Sequence, residues 1–378
     1  MNIKDRVQYF FREHARRVRL PVSEVGVLYL LSAIVTVLAF LLAVWLLVQI
    51  VFFSDRSGEL PPDLVFEDRE QTETVLDTCA MRSPLNGVCL DNAENKDESY
   101  IAVMVENSTD AWPLSGVSKA RVVYEAPVEG DIPRFMLLFE KRDAVEKVGP
   151  VRSARPYFLD WLREYPGAMY MHVGGSPEAL AQIESSDVFN LNEFFRSWYY
   201  WRSTDRGAPH NVYTSSELWQ KAWKDYEGNQ QPIEGWKFAE QTNCDGEQEK
   251  CVSLIVAEFA LGRYSSRWEY TSSTQTYTRY QGLSEQFDKE GTKVEADVVI
   301  VQKVESEIID AVGRKRLDIV GAGDAQIFQA GRHIAARWQK DNVNSRTKWY
   351  DHSGKEITLQ PGTIWIEVLP NGRGLQWQ

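Results

Sequence analysis

From Val25 to Phe53 the chain reads VGVLYLLSAIVTVLAFLLAVWLLVQIVFF, without one charged residue. An uninterrupted apolar run longer than the roughly 20 residues that span a bilayer leaves little choice of structure. It predicts a transmembrane helix. A cleaved signal peptide would have a shorter apolar region and a small-residue cleavage site, and no lipid-accepting Cys follows. Before the run, Lys4, Arg6, Arg12, Arg16, Arg17 and Arg19 outweigh Asp5, Glu13 and Glu24 by three charges. The positive-inside rule then puts residues 1 to 24 in the cytoplasm and everything after Phe53 outside, in the cytoplasmic membrane with a single pass.

The tail's +3 set against the whole-chain −12 leaves −15 on the outer part, 36 basic residues against 51 acidic ones. Such a surface is not drawn as a whole to nucleic acid, so any anion it takes must be captured by a local basic pocket. All four cysteines, Cys79, Cys89, Cys244 and Cys251, lie on that outer side. An even count outside the cytoplasm suggests disulfides, and local pairing, Cys79 with Cys89 and Cys244 with Cys251, is the simplest of three connectivities. Zinc is the weaker reading, since neither spacing is C-x-x-C and no His adjoins either pair.

Residues 54 to 98 are acidic and turn-rich and read as a stalk that becomes ordered near the first Cys pair. From 99 to 225, short apolar runs (YIAVMVEN, RFMLLFE, AMYMHVG) alternate with helical patterns (PYFLDWLREY, SPEALAQIES, SSELWQKAWKDY), which predicts a mixed α/β domain. Residues 226 to 251 read as a linker. Residues 252 to 378 break into short strands separated by Gly and Asp turns, a mostly antiparallel β domain. The fold class is therefore α+β, preceded by one transmembrane helix.

The candidate chemistry gathers in the first of these domains. In EKVGPVRSARPYFLDW, Pro156 is suited to the first helical position, so Arg152, Ser153 and Arg155 bracket a helix start, where positive charge is unfavourable. A counter-anion is needed. YEAPVEGDIPRF offers Glu125, Glu129 and Asp131 internally, with Arg134 adding another cation; an external phosphate or carboxylate gripped by the guanidinium groups is the other solution. In MHVGGSPEAL, Gly174 and Gly175 make a tight turn and Ser176 can cap the following helix, either an ordinary connection or an anion cradle. His172 and His210 are candidate general acids or bases, alongside Glu125 and Glu129, and each can equally be a satisfied hydrogen-bonding residue. No metal, phosphate-loop or serine-hydrolase signature is present, and no cofactor is named by the sequence. The aromatic run FFRSWYYWR, residues 194 to 202, suits stacking on sugars or a partner protein, or core packing.

The runs IAVMVENSTDAWPLSGVSKARVVYEAPVEGDIPRF, VGPVRSARPYFLDW, MHVGGSPEAL and APHNVYTSSEL resemble the YerB-like lipoprotein family, bacterial domain of unknown function 3048. The later ADVVIVQ, IVGAGDAQIFQAGRHIAARW and LQPGTIWIEVLP are similar to that family's C-terminal domain, so the likeness covers about residues 85 to 370. One departure is an apolar anchor where family members imply a lipidated Cys. The resemblance implies a bacterial cell-surface protein without an agreed activity. The order of an acidic strand, an Arg-rich strand end and a glycine turn also loosely resembles the LytR-type envelope ligases, which hold a lipid-linked pyrophosphate with arginines. Two readings follow: a ligand- or partner-binding module in cell-envelope assembly, with cell-wall precursors or envelope proteins as partners, and an envelope enzyme acting on a phosphate- or pyrophosphate-linked glycan.

Overall fold

The computed structural model describes residues 79–90, 98–246, 249–260 and 262–378. The apolar run at 25 to 53, its basic flank and most of the acidic stalk lie outside the described residues. Among the described residues no helix is long and apolar enough to cross a membrane.

The order of elements begins with strands β1 (Tyr100–Glu106), β2 (Val122–Pro127) and β3 (Pro133–Glu140), then helix α1 (Pro156–Leu162) and β4 (Met169–His172). Next come α2 (Pro177–Glu184), β5 (Phe189–Asn192), α3 (Glu193–Arg196), β6 (Trp201–Arg202), β7 (Val212–Tyr213) and α4 (Ser216–Asp225). The remainder is strand: β8 (Leu254–Glu258), β9 (Ser265–Thr271), β10 (Thr276–Gln281), β11 (Ser284–Glu285), β12 (Glu295–Ala296), β13 (Val298–Ile308) and β14 (Lys315–Asp318). The chain closes with β15 (Gly321–Gln329), β16 (Arg332–Lys340), β17 (Lys348–Tyr350), β18 (Ile364–Pro370) and β19 (Leu375–Trp377). Mixed helix and strand with strand predominant agrees with the α+β expectation.

Strands from both halves of the chain form one sheet, in the order β17-β16-β15-β13-β18-β2-β3-β1-β4-β5, with β14 hung on β13. The seam between the halves is a parallel ladder in which Ile364, Trp365, Ile366 and Glu367 face Val122, Val123, Tyr124 and Glu125. Residues 99 to 225 and 252 to 378 thus share a sheet. The C-terminal half is otherwise antiparallel, apart from the parallel β13–β18 ladder. A second sheet, β11-β10-β9-β8-β19 with β12 beside β10, comes entirely from that half.

Central strands are buried on both faces, which is why they read as continuous apolar runs; every residue of β1 is buried. Even-numbered residues of β1 (Tyr100, Ala102, Met104) pack with Phe158, Trp161, Ala179 and Ile183 of α1 and α2. Odd-numbered ones (Ile101, Val103, Val105) pack with Trp219 of α4 and Trp268 of the second sheet. The large sheet is therefore the middle layer of three. Fully burying a large apolar side chain contributes about 1.5–3 kcal/mol, and Trp161, Trp219, Trp268 and Trp365 are all at 0 % exposure.

The segment between the halves is held on this framework. Ile233 and Trp236 are buried, Trp236 Nε1 donates to the Thr347 carbonyl at 2.7 Å, and Phe238 bridges to Leu359. Disulfides join Cys79 to Cys89 and Cys244 to Cys251, with Cα–Cα separations of 5.6 and 5.7 Å. Leu85, inside the first of these loops, is fully buried against the helix-side core.

Candidate functional site

The ladders fix which ends of the strands meet. β1, β4 and β5 run parallel, as do β2 and β18, so Glu106, Pro127, His172 and Asn192 all end on one edge. The antiparallel β3 begins there, placing Arg134 directly opposite Glu106. The carboxyl edge of parallel strands is where α/β sheets open toward ligands. Across it runs the G-P-V-R-S-A-R segment, stitched down by main-chain bonds: Arg152 N–H to Met104 O (2.8 Å), Val173 N–H to Arg152 O (3.0 Å) and Ala154 N–H to Gly174 O (3.0 Å).

Arg155 is the N-cap of α1 with extended backbone (φ −133°, ψ 153°), followed by Pro156. Its guanidinium grips Glu129 with two bonds, Nε to Oε1 at 2.7 Å and Nη2 to Oε2 at 2.6 Å. Burial opposes ionisation of Glu129, but the bonds and charge of Arg155 outweigh it and hold the carboxyl below its ordinary pKa. Asp131 is engaged elsewhere, with Lys315 at 2.8 Å and with Arg373.

Arg152 is about a quarter exposed and lies 3.4 Å from Glu106 Oε2 through Nε. The same oxygen is 2.8 Å from His210 Nδ1 and accepts from Ser108 Oγ at 2.8 Å. Glu106 is 3 % exposed, so a buried carboxylate orients an imidazole and lies beside a guanidinium that are each about a quarter exposed or less. Glu106 ends a strand with no motif around it, and nothing in its sequence neighbourhood marks it as part of a site.

Arg134 lies beneath these groups, 7 % exposed. Its Nη1 donates to Ser153 O at 2.7 Å, which is what brings Ser153 into the cluster. Its Nε is buried without a hydrogen-bond partner, and among the described residues no carboxylate lies within ion-pair distance of its guanidinium. Burial and then the charges of Arg155 and Arg152 push its pKa down to about 10, with Glu129 opposing. Three arginines thus meet two carboxylates, leaving one positive charge at the edge without a direct partner.

The glycine turn is more fully committed. Gly174 N–H donates to Asn192 Oδ1 at 3.0 Å, and Ser176 Oγ caps α2 through Ala179 N–H at 3.3 Å. The ring of Phe194 lies where a Cβ on Gly174 would sit, 2.7 Å away, and Leu180 covers Gly175. His172 is fully buried: Nδ1 donates to Gly174 O at 2.7 Å, Nε2 lies 2.8 Å from the Asn190 amide, and Tyr170 stacks on the ring. Burial lowers its pKa and favours the neutral ring. Its geometry is that of a residue locking the turn, with neither nitrogen open to a substrate.

Glu125 is apart from this cluster. Its side chain points between the sheets, where Arg279 chelates it at 2.8 and 2.9 Å and Trp365 Nε1 donates at 2.9 Å. Glu367, beside it in the parallel ladder, accepts from Trp268 Nε1 at 2.8 Å. Burial raises both carboxyls, Arg279 opposes this at Glu125, and Glu367 is pushed up to about 8 by burial and the Glu125 charge. Among the described residues no group of three or more His, Cys, Asp or Glu is placed to hold a metal ion.

Part of the aromatic run lies on the surface beside the glycine turn. Phe194, Phe195 and Trp198 are 66, 68 and 53 % exposed, whereas Tyr199 and Tyr200 are buried. The run divides: Phe194, Phe195 and Trp198 face out, Tyr199 and Tyr200 pack in, and Trp201 is exposed again.

Residues 85–229 match the N-terminal domain of a protein family of unknown function, DUF3048, and residues 255–366 match that family's C-terminal domain. The chain is 30 % identical over 315 residues to "Putative lipoprotein YerB" of Bacillus subtilis (strain 168), covering 80 % of this chain and 90 % of that protein. The solved crystal structure of YerB from Bacillus subtilis superposes with a TM-score of 0.69, again at 30 % identity, covering 78 % of this chain and 99 % of the other. On both the sequence and the fold, this chain belongs to the DUF3048 family.

Proposed function

We propose that this protein is a membrane-anchored, extracytoplasmic binding module of the bacterial cell envelope, which takes an anionic group of its ligand at the carboxyl edge of the large sheet. The observation that carries the reading is Arg134, a nine-tenths-buried guanidinium with an orphaned Nε and, among the described residues, no carboxylate in ion-pair range. A buried cation without a counter-ion is costly, and a bound phosphate or carboxylate would remove that cost. Arg152, about a quarter exposed, supplies the accessible face, and Arg155 is kept for Glu129. The anchor is the apolar run at 25 to 53, consistent with a relative named as a lipoprotein although the means of attachment differs. Within the envelope the role is in cell-wall assembly, with wall precursors or envelope proteins as the partners.

The test is calorimetric titration of the full-length protein with inorganic phosphate and pyrophosphate. One saturable site is expected, weakened at least about tenfold in Arg152→Gln, a loss of about 1.4 kcal/mol, with unchanged circular dichroism. Equal binding by Arg152→Gln and the parent, or none by either, sinks the assignment.

A second reading is favoured by the Glu106–His210 pair. A buried carboxylate holding Nδ1 leaves Nε2 as the group able to move a proton, next to Arg152, the arrangement an enzyme acting on a phosphate-linked glycan would use. Phosphate release from a pyrophosphate-linked glycan that disappears in His210→Gln, with phosphate binding retained, would select this reading over the binding module.

A further inference from the structure

A second cation without a sufficient counter-charge lies far from these residues in the sequence. On the helix-covered side of the large sheet, the turn after α1, the segment at 232 to 234 and the connection between β16 and β17 enclose a pocket of about 220 Å3. Its lining includes Glu164, Ile233, Glu234, Asp341, Arg346 and Lys348, and none of the carboxyl-edge residues discussed above contributes.

Arg346 is 5 % exposed, its guanidinium carbon lying over the rings of Trp236 (3.8 Å to the centroid) and Tyr165 (4.4 Å). Cation–π contact of this kind does not by itself satisfy the guanidinium N–H groups. Nε, Nη1 and Nη2 all lack a hydrogen-bond partner. Glu164 approaches Nη1 only to 4.0 Å. That carboxylate is already saturated by Lys340 Nζ (2.8 Å), Thr347 Oγ1 (2.6 Å), Thr347 N–H (3.2 Å) and Tyr124 Oη (3.3 Å). Two buried cations, Lys340 and Arg346, therefore share one carboxylate, and a guanidinium with five N–H donors makes no bond with any of them. Each unmade bond of a buried charged donor carries a desolvation cost, so the arrangement calls for an occupant.

The mouth defines the rest of that occupant. Glu234 is the more exposed partner of an ion pair with Lys348, and Asp341 accepts from Gln339 Nε2 at 2.6 Å. Two carboxylates at the rim repel a multiply charged anion and attract a cation, while the fork of Arg346 suits a planar carboxylate. The volume is below the roughly 300–1,000 Å3 of pockets for drug-sized ligands. The nitrogens of Arg346 are shielded from bulk solvent.

We propose that this pocket binds a small free amino acid, its carboxylate on Arg346 and its ammonium facing Glu234 and Asp341. The full-length protein is titrated with glycine, alanine, acetate and inorganic phosphate. Glycine or alanine should saturate one site below about 10 mM, with acetate and phosphate at least about tenfold weaker. Arg346→Lys should abolish that binding, while Arg152→Gln should leave it unchanged, separating this pocket from the carboxyl-edge site. Should Arg346→Lys fail to fold, Asp341→Asn, at the exposed rim, should lower the affinity for glycine at least about threefold and leave acetate unaffected. No saturable binding, phosphate binding tighter than glycine, a glycine-to-acetate ratio unchanged in Asp341→Asn, or a crystal soaked in glycine with only water on Arg346 would each overturn the proposal.

Discussion

Glu129 holds Arg155 through two parallel hydrogen bonds, 2.7 and 2.6 Å long, at the first residue before α1. The pair answers the problem of a guanidinium at a helix N-terminus by giving it a carboxylate partner. It also commits Arg155 to an internal ion pair, whereas Arg152 keeps about a quarter of its side chain exposed.

Arg155→Ala is expected to destabilise the fold by about 1–3 kcal/mol, and a double-mutant cycle with Glu129→Gln should show coupling of about 1–2 kcal/mol in urea unfolding. Glu129 has a depressed pKa, so its contribution is present above the ordinary carboxyl value of 4.5 and is lost as pH falls through the lower folded-state value. Glu129→Gln should flatten the acid limb of the stability profile. Additive single mutants would show that the contact has no energetic weight.

Gly149, which opens the G-P-V-R-S-A-R run, has φ 147°, and a Cβ there would lie 2.8 Å from both Val212 O and Tyr213 Cδ1. Backbone conformation and space both exclude a side chain. Gly149→Ala should cost more than about 1–2 kcal/mol, read as a lowered thermal midpoint, and weaken anion binding by displacing Arg152. Parent-like stability would contradict the packing described for this segment.

Glu367 titrates in the opposite sense from Glu129. Its folded pKa of about 8 exceeds the ordinary 4.5, so the native state keeps a proton that the unfolded chain releases. Stability should therefore fall as pH rises from about 4.5 to about 8 and level off above that. Glu367→Gln should remove this slope and be the more stable protein at pH 8; a profile unchanged by the substitution would mean that Glu367 is ionised in the native fold.

Loss of the Cys79–Cys89 bridge, which closes a loop with a sequence separation of 10, should cost about 2–3 kcal/mol by the chain-entropy argument. The Cys79→Ser, Cys89→Ser double variant should show that loss as a lower urea midpoint at unchanged slope. A midpoint equal to the parent's would mean that burial of Leu85 alone holds the segment.

Local chemistry is legible in the sequence. Pro156 and Pro177 at first helical positions, Ser176 as a cap and the apolar run that became β1 are short-range signals, and the structure places these elements accordingly. The need of Arg155 for a carboxylate could also be stated, with Glu129 among the named candidates. The partner of Glu125 could not, because Arg279 lies 154 residues away in another sheet. Glu106 stayed hidden for a related reason: its significance comes from His210, 104 residues later, and from its register opposite Arg134. Strand order is set by such long-range pairing, so the sharing of one sheet by the two halves left no mark in composition or periodicity.

That shared sheet has a consequence for how the molecule comes into being. β18, whose Trp365 follows Glu125 by 240 residues, takes a central place between β13 and β2. Until it arrives, β2 has an unpaired edge and Glu125 lacks Trp365. Completion of the large sheet must therefore wait until both halves have been made. Neither half is expected to be a self-sufficient folding unit, and the exposed edge of β2 is what a chaperone would have to guard in the interval.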